Sequence, residues 1–292
     1  MLNLKGSVPA LITPMLANGD IDYSALEKLL ELHVSAGSQG LVLCGTTGEA
    51  PTLLWEEKEK LLAFCQRIIA GRIPLIAGCS SNSTAEACLL TQLAVDCGMD
   101  ATLHATGYYN KPSQAQLIKH YEVINNSSAI PLLVYNIPSR TGVEISPDSI
   151  VTLSEMEKII GVKDSTGDTG RLSQERNRIK GEFLFFSGDD SSVLGYMAAG
   201  GDGCISVTAN AFPVRMAEFI ACCLSGDFAK ARQQHESMID LHKGLFIEPS
   251  PGGIKYLMSL MGLCENQTRL PITPVSPAAQ QLIEKVAYPL LN

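Results

Sequence analysis

Lys163 closes the apolar run Ile159-Ile160-Gly161-Val162, and no other residue in the chain is better placed for covalent chemistry. A run without polar alternation is the pattern of a strand buried on both faces. An amine carried into that setting loses the hydration of its charged form and becomes a better nucleophile. With a carbonyl substrate it forms a protonated imine, which acts as an electron sink. The plainer alternative is a lysine that snorkels to the rim of the sheet and pairs with Asp164.

Other polar residues collect where apolar runs end. Gly45-Thr46-Thr47-Gly48-Glu49 follows residues 40–44, Tyr108-Tyr109-Asn110 follows 101–104, and Tyr135-Asn136 ends 131–135, with Pro138-Ser139-Arg140 just beyond. The seventh run ends in Ser187-Gly188-Asp189-Asp190 and the eighth near Ser206. The glycine loop offers backbone N–H groups and two hydroxyls, which suits a carboxylate and a proton relay. It serves equally as a turn whose threonines cap the next helix. Tyr135 and Tyr109 can relay protons through their phenols, or stand as core aromatics with a hydrogen-bonded tip. Arg140 can clamp a carboxylate through two N–H groups, or be an exposed, solvated side chain.

These residues need a frame that brings run ends to one face. Eight apolar runs (8–13, 40–44, 74–77, 101–104, 131–135, 159–163, 183–187 and 203–207) alternate with stretches of helical period. Eight strand–helix units predict a closed (β/α)₈ barrel of the TIM type, whose reacting groups sit at the C-terminal strand ends. A doubly wound open sheet is the alternative, disfavoured by the count and by the lack of a G-x-G-x-x-G turn after the first strand. Ser83 before Thr84-Ala85-Glu86 and Ser146 before Pro147 read as helix starts. Beyond Gly226 the strands stop, and helices are expected over 227–244, 253–261 and 276–290. The predicted organisation is a catalytic barrel over 1–225 and a small helical C-terminal domain over 226–292.

Composition narrows the partners. The 292 residues are 46% hydrophobic and 18% charged, with a net charge of -8, and no basic run offsets it. Nucleic acid and anionic membrane surfaces are therefore poor partners. No apolar stretch is long enough to span a bilayer, and no leader is expected ahead of the first strand. Nine cysteines, an odd number with no C-x-x-C pair, read as reduced thiols of a cytoplasmic protein. The five histidines lack metal-ligand spacing, so no metal is expected.

Four motifs carry a resemblance. Gly45-Thr46-Thr47-Gly48-Glu49, Tyr108-Tyr109-Asn110-Lys111-Pro112, Tyr135 to Gly142, and Gly161-Val162-Lys163-Asp164-Ser165-Thr166-Gly167 are similar to those of the dihydrodipicolinate synthase family. That family lies within the pyruvate-dependent aldolases, which include N-acetylneuraminate lyase. The resemblance spans almost the whole chain and implies that Lys163 forms an imine with pyruvate. It further implies a proton relay of Tyr135, Thr46 and Tyr109, the last reaching into a neighbouring subunit's site. Thr47 would hold the pyruvate carboxylate, Arg140 the carboxylate of L-aspartate 4-semialdehyde, and Gly188 and Ile205 would line the pocket. The implied product is the cyclic precursor of diaminopimelate and lysine, made without metal or organic cofactor by a homotetramer, a dimer of tight dimers. Thr46, where neuraminate lyases typically carry serine, and Arg140 favour the synthase over lyases of sialic or 2-keto-3-deoxy sugar acids. A non-catalytic ligand-binding homologue is the other alternative.

Two departures from the family pattern stand out. Gly107 replaces the usual proline before the two tyrosines, which removes a fixed φ and is expected to loosen that loop. At the family's lysine-inhibition site, Asn82, Glu86 and Tyr108 match, but Trp55 and Lys58 stand where sensitive members often carry histidine. With Ala50, these positions mark the expected regulatory site, and a cation at Lys58 predicts weak or absent feedback by lysine.

Overall fold

The computed structural model describes residues 2–291. Its strands are β1 (Gly6–Pro9), β2 (Leu41–Leu43), β3 (Leu75–Gly78), β4 (Ala101–Ala105), β5 (Leu132–Asn136), β6 (Ile159–Asp164), β7 (Leu184–Ser187) and β8 (Gly203–Ser206). All pair in parallel in the order β1-β8-β7-β6-β5-β4-β3-β2. The ends of this sheet meet through a parallel bridge between Ala10 and Val42, where Leu11 N donates to Val42 O at 2.9 Å. The sheet is a closed barrel, not an open doubly wound one.

Helices follow the strands: α1 (Tyr23–Ser35), α2 (Trp55–Ile69), α3 (Thr84–Asp96), α4 (Gln114–Ser127), α5 (Pro138–Thr141), α6 (Pro147–Leu153), α7 (Thr169–Arg176), α8 (Val193–Ala198) and α9 (Pro213–Leu224). The expected helix starts are in place. Ser83 accepts from Glu86 N, and Ser146 caps α6 by accepting from Ser149 N, with Pro147 at the first helical position.

The first strand is a correction. The apolar run 8–13 predicted a strand there, but β1 ends at Pro9. Ala10 N and Leu11 N still donate to the neighbouring strands, at Ser206 O and Val42 O, but residues 12–13 leave the sheet because their hydrogen bonds go elsewhere. Ile12 N donates to the Asn210 side chain at 2.9 Å, and Thr13 Oγ1 donates to Gly48 O at 2.7 Å. The sequence reading also left out α5, the short helix that carries Arg140.

Alternation along each strand sorts side chains to the two faces. Val8, Val42, Ile76, Leu103, Leu133, Phe186 and Ile205 pack inside the barrel with Tyr135. Leu132, Val134, Val162 and Phe185 face outward onto α4, α6 and α7. Each such fully buried side chain contributes about 1.5–3 kcal/mol over an exposed one.

The C-terminal helices are α10 (Phe228–Gly244), α11 (Gly252–Leu260) and α12 (Pro277–Leu291), close to the expected limits. Their buried side chains, Met238, Leu241, Leu257 and Ile283 among them, share one apolar cluster with α1, α2 and α9. Cys44, Cys65, Cys79, Cys204 and Cys223 lie buried in that cluster, and all nine thiols are unpaired. No helix among the described residues is long and apolar enough to cross a membrane.

Candidate active site

Parallel pairing of β5 and β6 places Tyr135 opposite Lys163, and Asn136 opposite Asp164. Val162 faces outward, so Lys163 turns into the barrel mouth. It is 5% exposed, and its Nζ lies 4.2 Å from the centre of the Tyr135 ring. The amine sits over the face of that ring, and it forms no ion pair with a carboxylate among the described residues. Gly188 makes room for the lysine stem: a Cβ there would stand 2.6 Å from Lys163 Cε and 2.1 Å from Ser165 Oγ.

The rim-snorkelling alternative fails because Asp164 is engaged elsewhere. Its carboxylate accepts from Asn136 Nδ2 at 2.8 Å, Thr166 N at 2.9 Å and Thr166 Oγ1, and lies 3.3 Å from the guanidinium of Arg171. Arg171 is itself buried, donating to Glu175 at 2.8 Å, to Glu144 and to Ile145 O. Burial pushes the Glu175 carboxyl up to about 7, against the pull of Arg171. This outward-facing network ties the ends of β5 and β6 together behind Tyr135 and Lys163. Sequence reasoning missed it, since an arginine seven residues beyond Asp164 carries no sign of burial.

The barrel mouth holds a cavity of about 210 Å³. Of the residues expected at a site, Thr46, Thr47, Tyr135, Arg140, Lys163 and Gly188 line it. Thr46 and Thr47 do not cap α2, whose first turn is closed by the Glu57 carboxylate accepting from Leu54 N at 2.8 Å. They sit on a tight turn, in which Glu49 N donates to Thr46 O at 3.1 Å and Ala50 N to Gly45 O at 3.3 Å. Arg140 stands exposed at the rim, with no carboxylate partner among the described residues.

Two expected residues lie elsewhere. Ile205 is buried in the barrel interior and stays out of the cavity wall. Tyr109 is 88% exposed and is not brought to this cavity within one chain. Its backbone is left-handed (φ 67), as is that of Lys111 (φ 47), and Asn110 ties the turn to Asn82 O at 2.8 Å. Gly107 is not left-handed, so the freedom of a glycine is not used there.

The wall also includes residues to which the sequence reading gave no role: Ile137, Ser139, Ser165, Asp189, Val207, Phe246 and Ser250. All but the last two lie one to three residues beyond a strand end, where the strand-end rule points. Phe246 and Ser250 come from the segment between α10 and α11, which no local pattern connects to the barrel mouth. None of Ala50, Trp55, Lys58, Asn82, Glu86 and Tyr108 lies in this wall. No cluster of three metal-ligating side chains stands together among the described residues.

Fold and site define a (β/α)₈ barrel with an amine, a phenol, two threonines and an arginine converging on its mouth. The chain belongs to the dihydrodipicolinate synthetase family, whose sequence pattern matches residues 3–288. It is 48% identical to the 4-hydroxy-tetrahydrodipicolinate synthase of Phenylobacterium zucineum over 94% of both chains. Among solved structures, it superposes on dihydrodipicolinate synthase from Aquifex aeolicus with a TM-score of 0.95 at 43% identity, covering 98% of each chain. It is similarly close to the chloride-inhibited dihydrodipicolinate synthase from Acinetobacter baumannii complexed with pyruvate (TM-score 0.96, 41% identity, 98% of each chain).

Proposed function

We propose that the chain is a 4-hydroxy-tetrahydrodipicolinate synthase, a lyase that condenses pyruvate with L-aspartate 4-semialdehyde through an imine on Lys163. The observation that carries this reading is the inward lysine beside Tyr135, in a cavity also lined by Thr46, Thr47 and an Arg140 that has no carboxylate partner among the described residues. The neutral Lys163 amine attacks the pyruvate ketone, and loss of water from the carbinolamine leaves the imine. The imine draws electrons from the methyl group, which gives up a proton to become an enamine and adds to the aldehyde. The semialdehyde amine then closes on the imine carbon and expels Lys163. Tyr135 moves protons at each stage. Those protons pass on through Thr46 and Tyr109 to solvent.

Within one chain the relay stops short of Tyr109. We take this as support for a homotetramer, built as a dimer of tight dimers, in which Tyr109 projects into a neighbouring copy's cavity. The enzyme works in the cytoplasm, without organic cofactor or metal. Thr47 holds the pyruvate carboxylate, and Gly188 shapes the pocket around the lysine stem.

Arg140 decides the second substrate. Arg140→Ala should raise the KM for aspartate semialdehyde by roughly 10- to 150-fold, since a hydrogen-bonded pair with a charged partner contributes about 1.5–3 kcal/mol. The KM for pyruvate should change little. A coupled assay measures both, and equal KM values for wild type and variant would remove Arg140 from substrate recognition. Turnover of a sialic acid or sugar acid, with none of aspartate semialdehyde, would move the chain to another aldolase activity.

Regulation follows from Lys58 and Trp55. A lysine ligand near Asn82, Glu86 and Tyr108 would bring its ammonium groups toward the Lys58 cation, and like charges repel. Micromolar L-lysine should therefore leave the steady-state rate unchanged, and strong inhibition at that concentration would overturn the proposal.

A further inference from the structure

The loop that carries Thr46 and Thr47 is anchored from the far end of the chain. Glu49 ends that loop in a left-handed conformation (φ 56), with its side chain buried. A non-glycine residue holds that backbone only where its surroundings over-determine it. Here both carboxylate oxygens are engaged. Oε1 accepts from Nζ of Lys255, in α11, and Oε2 accepts from Arg269 N at 2.9 Å. Lys255 is fully buried, and its Nζ also donates to Gln267 O at 2.8 Å. Arg269 extends the anchor on both sides of the loop. Its guanidinium donates to Thr52 O at 2.8 Å and Gly19 O at 2.8 Å, and pairs with Glu57 at 2.6 Å. The loop backbone is fixed in turn, with Glu49 N on Thr46 O, Thr52 N on Glu49 O, and Gly48 O accepting from Thr13 Oγ1.

A buried ion pair is a poor device for stability alone, because apolar residues of similar volume commonly serve as well or better. What it supplies is direction: it fixes where the Glu49 side chain points, and so how the preceding N–H groups and hydroxyls face the cavity. We propose that Glu49, Lys255 and Arg269 form a latch through which the C-terminal helices set the Thr46–Thr47 loop for the carboxylate of the keto acid. Glu49 and Lys255 are positioning residues; neither lines the cavity. The inference rests on the reading of that loop as the pyruvate carboxylate site.

The test compares wild type with the double variant Glu49→Gln/Lys255→Met and the single variant Glu49→Asp. The double variant leaves no charge of the pair unmatched, and its new amide oxygen can still accept from Arg269 N. Glu49→Asp keeps the charge but shortens the reach. Both should raise the pyruvate concentration needed for half-maximal borohydride trapping at Lys163 by about tenfold, equivalent to about 1.4 kcal/mol. The KM for aspartate semialdehyde should stay within about twofold, a split that general loosening of the fold would not produce. A folded double variant with wild-type pyruvate dependence, or an equal loss for both substrates, overturns the latch. If the double variant does not fold, Glu49→Asp decides by the same criterion. Failure of the wild type itself to be trapped at Lys163 instead brings down the reading of the site, and the latch with it.

Discussion

Replacing Lys163 with Ala should abolish turnover, by about 10⁴-fold or more, while leaving the fold intact. The two halves of this expectation have separate causes. Without the amine no imine forms, so neither Tyr135 nor the threonine loop has an intermediate to act on. Groups that act as a unit lose nearly everything when the central one is removed. The fold survives because Lys163 leaves no buried partner behind. Its Nζ faces the Tyr135 ring, and among the described residues it pairs with no carboxylate. Removing it deletes a buried polar group together with part of its apolar stem, and these changes oppose one another. Thermal melting and the coupled assay, run on the same preparation, check both halves. Residual turnover above the uncatalysed rate would mean that another group carries the chemistry.

Tyr135→Phe should lower kcat by about 10² to 10⁴, the range for loss of a positioned acid–base group. The substitution keeps the ring that packs with Leu133, Phe186 and Ile205 and that faces the Lys163 amine, so melting should be nearly unchanged. Because the phenol serves imine formation as well as the later steps, trapping with pyruvate and borohydride should become slower but still map to Lys163. A Phe variant with kcat within about threefold of wild type would assign the proton transfers elsewhere.

The strands of this barrel were readable because each is covered on both faces and therefore lacks polar alternation. The rule misled most plainly at residues 12–13, which are just as buried but bond to Asn210 and Gly48 rather than to a neighbouring strand. That Lys163, Tyr135, Thr46 and Gly188 line one cavity was legible for the same reason: topology places strand ends at one mouth. Residues that reach the mouth from far along the chain were not. Phe246 and Ser250 lie in an irregular segment with no periodicity of their own. Lys255 looks in sequence like a solvated helix lysine, and its partner Glu49 stands 206 residues away. Asp164 read as a candidate partner for Lys163 because the two are adjacent, yet strand alternation points them to opposite faces, and Arg171 and Asn136 take the carboxylate. Adjacency in sequence misleads wherever a strand separates neighbours.

The central claim is that Lys163 is the imine-forming amine. The chain holds a second buried lysine, Lys255, so chemistry and burial can be told apart in one experiment. The protein is incubated with pyruvate, reduced with borohydride, digested, and its peptides mapped by mass. The account predicts one reduced pyruvate adduct per chain on the peptide containing Lys163, and none on the peptide containing Lys255, which the Glu49 pair occupies away from the cavity. No adduct, or an adduct on any other lysine, would contradict it.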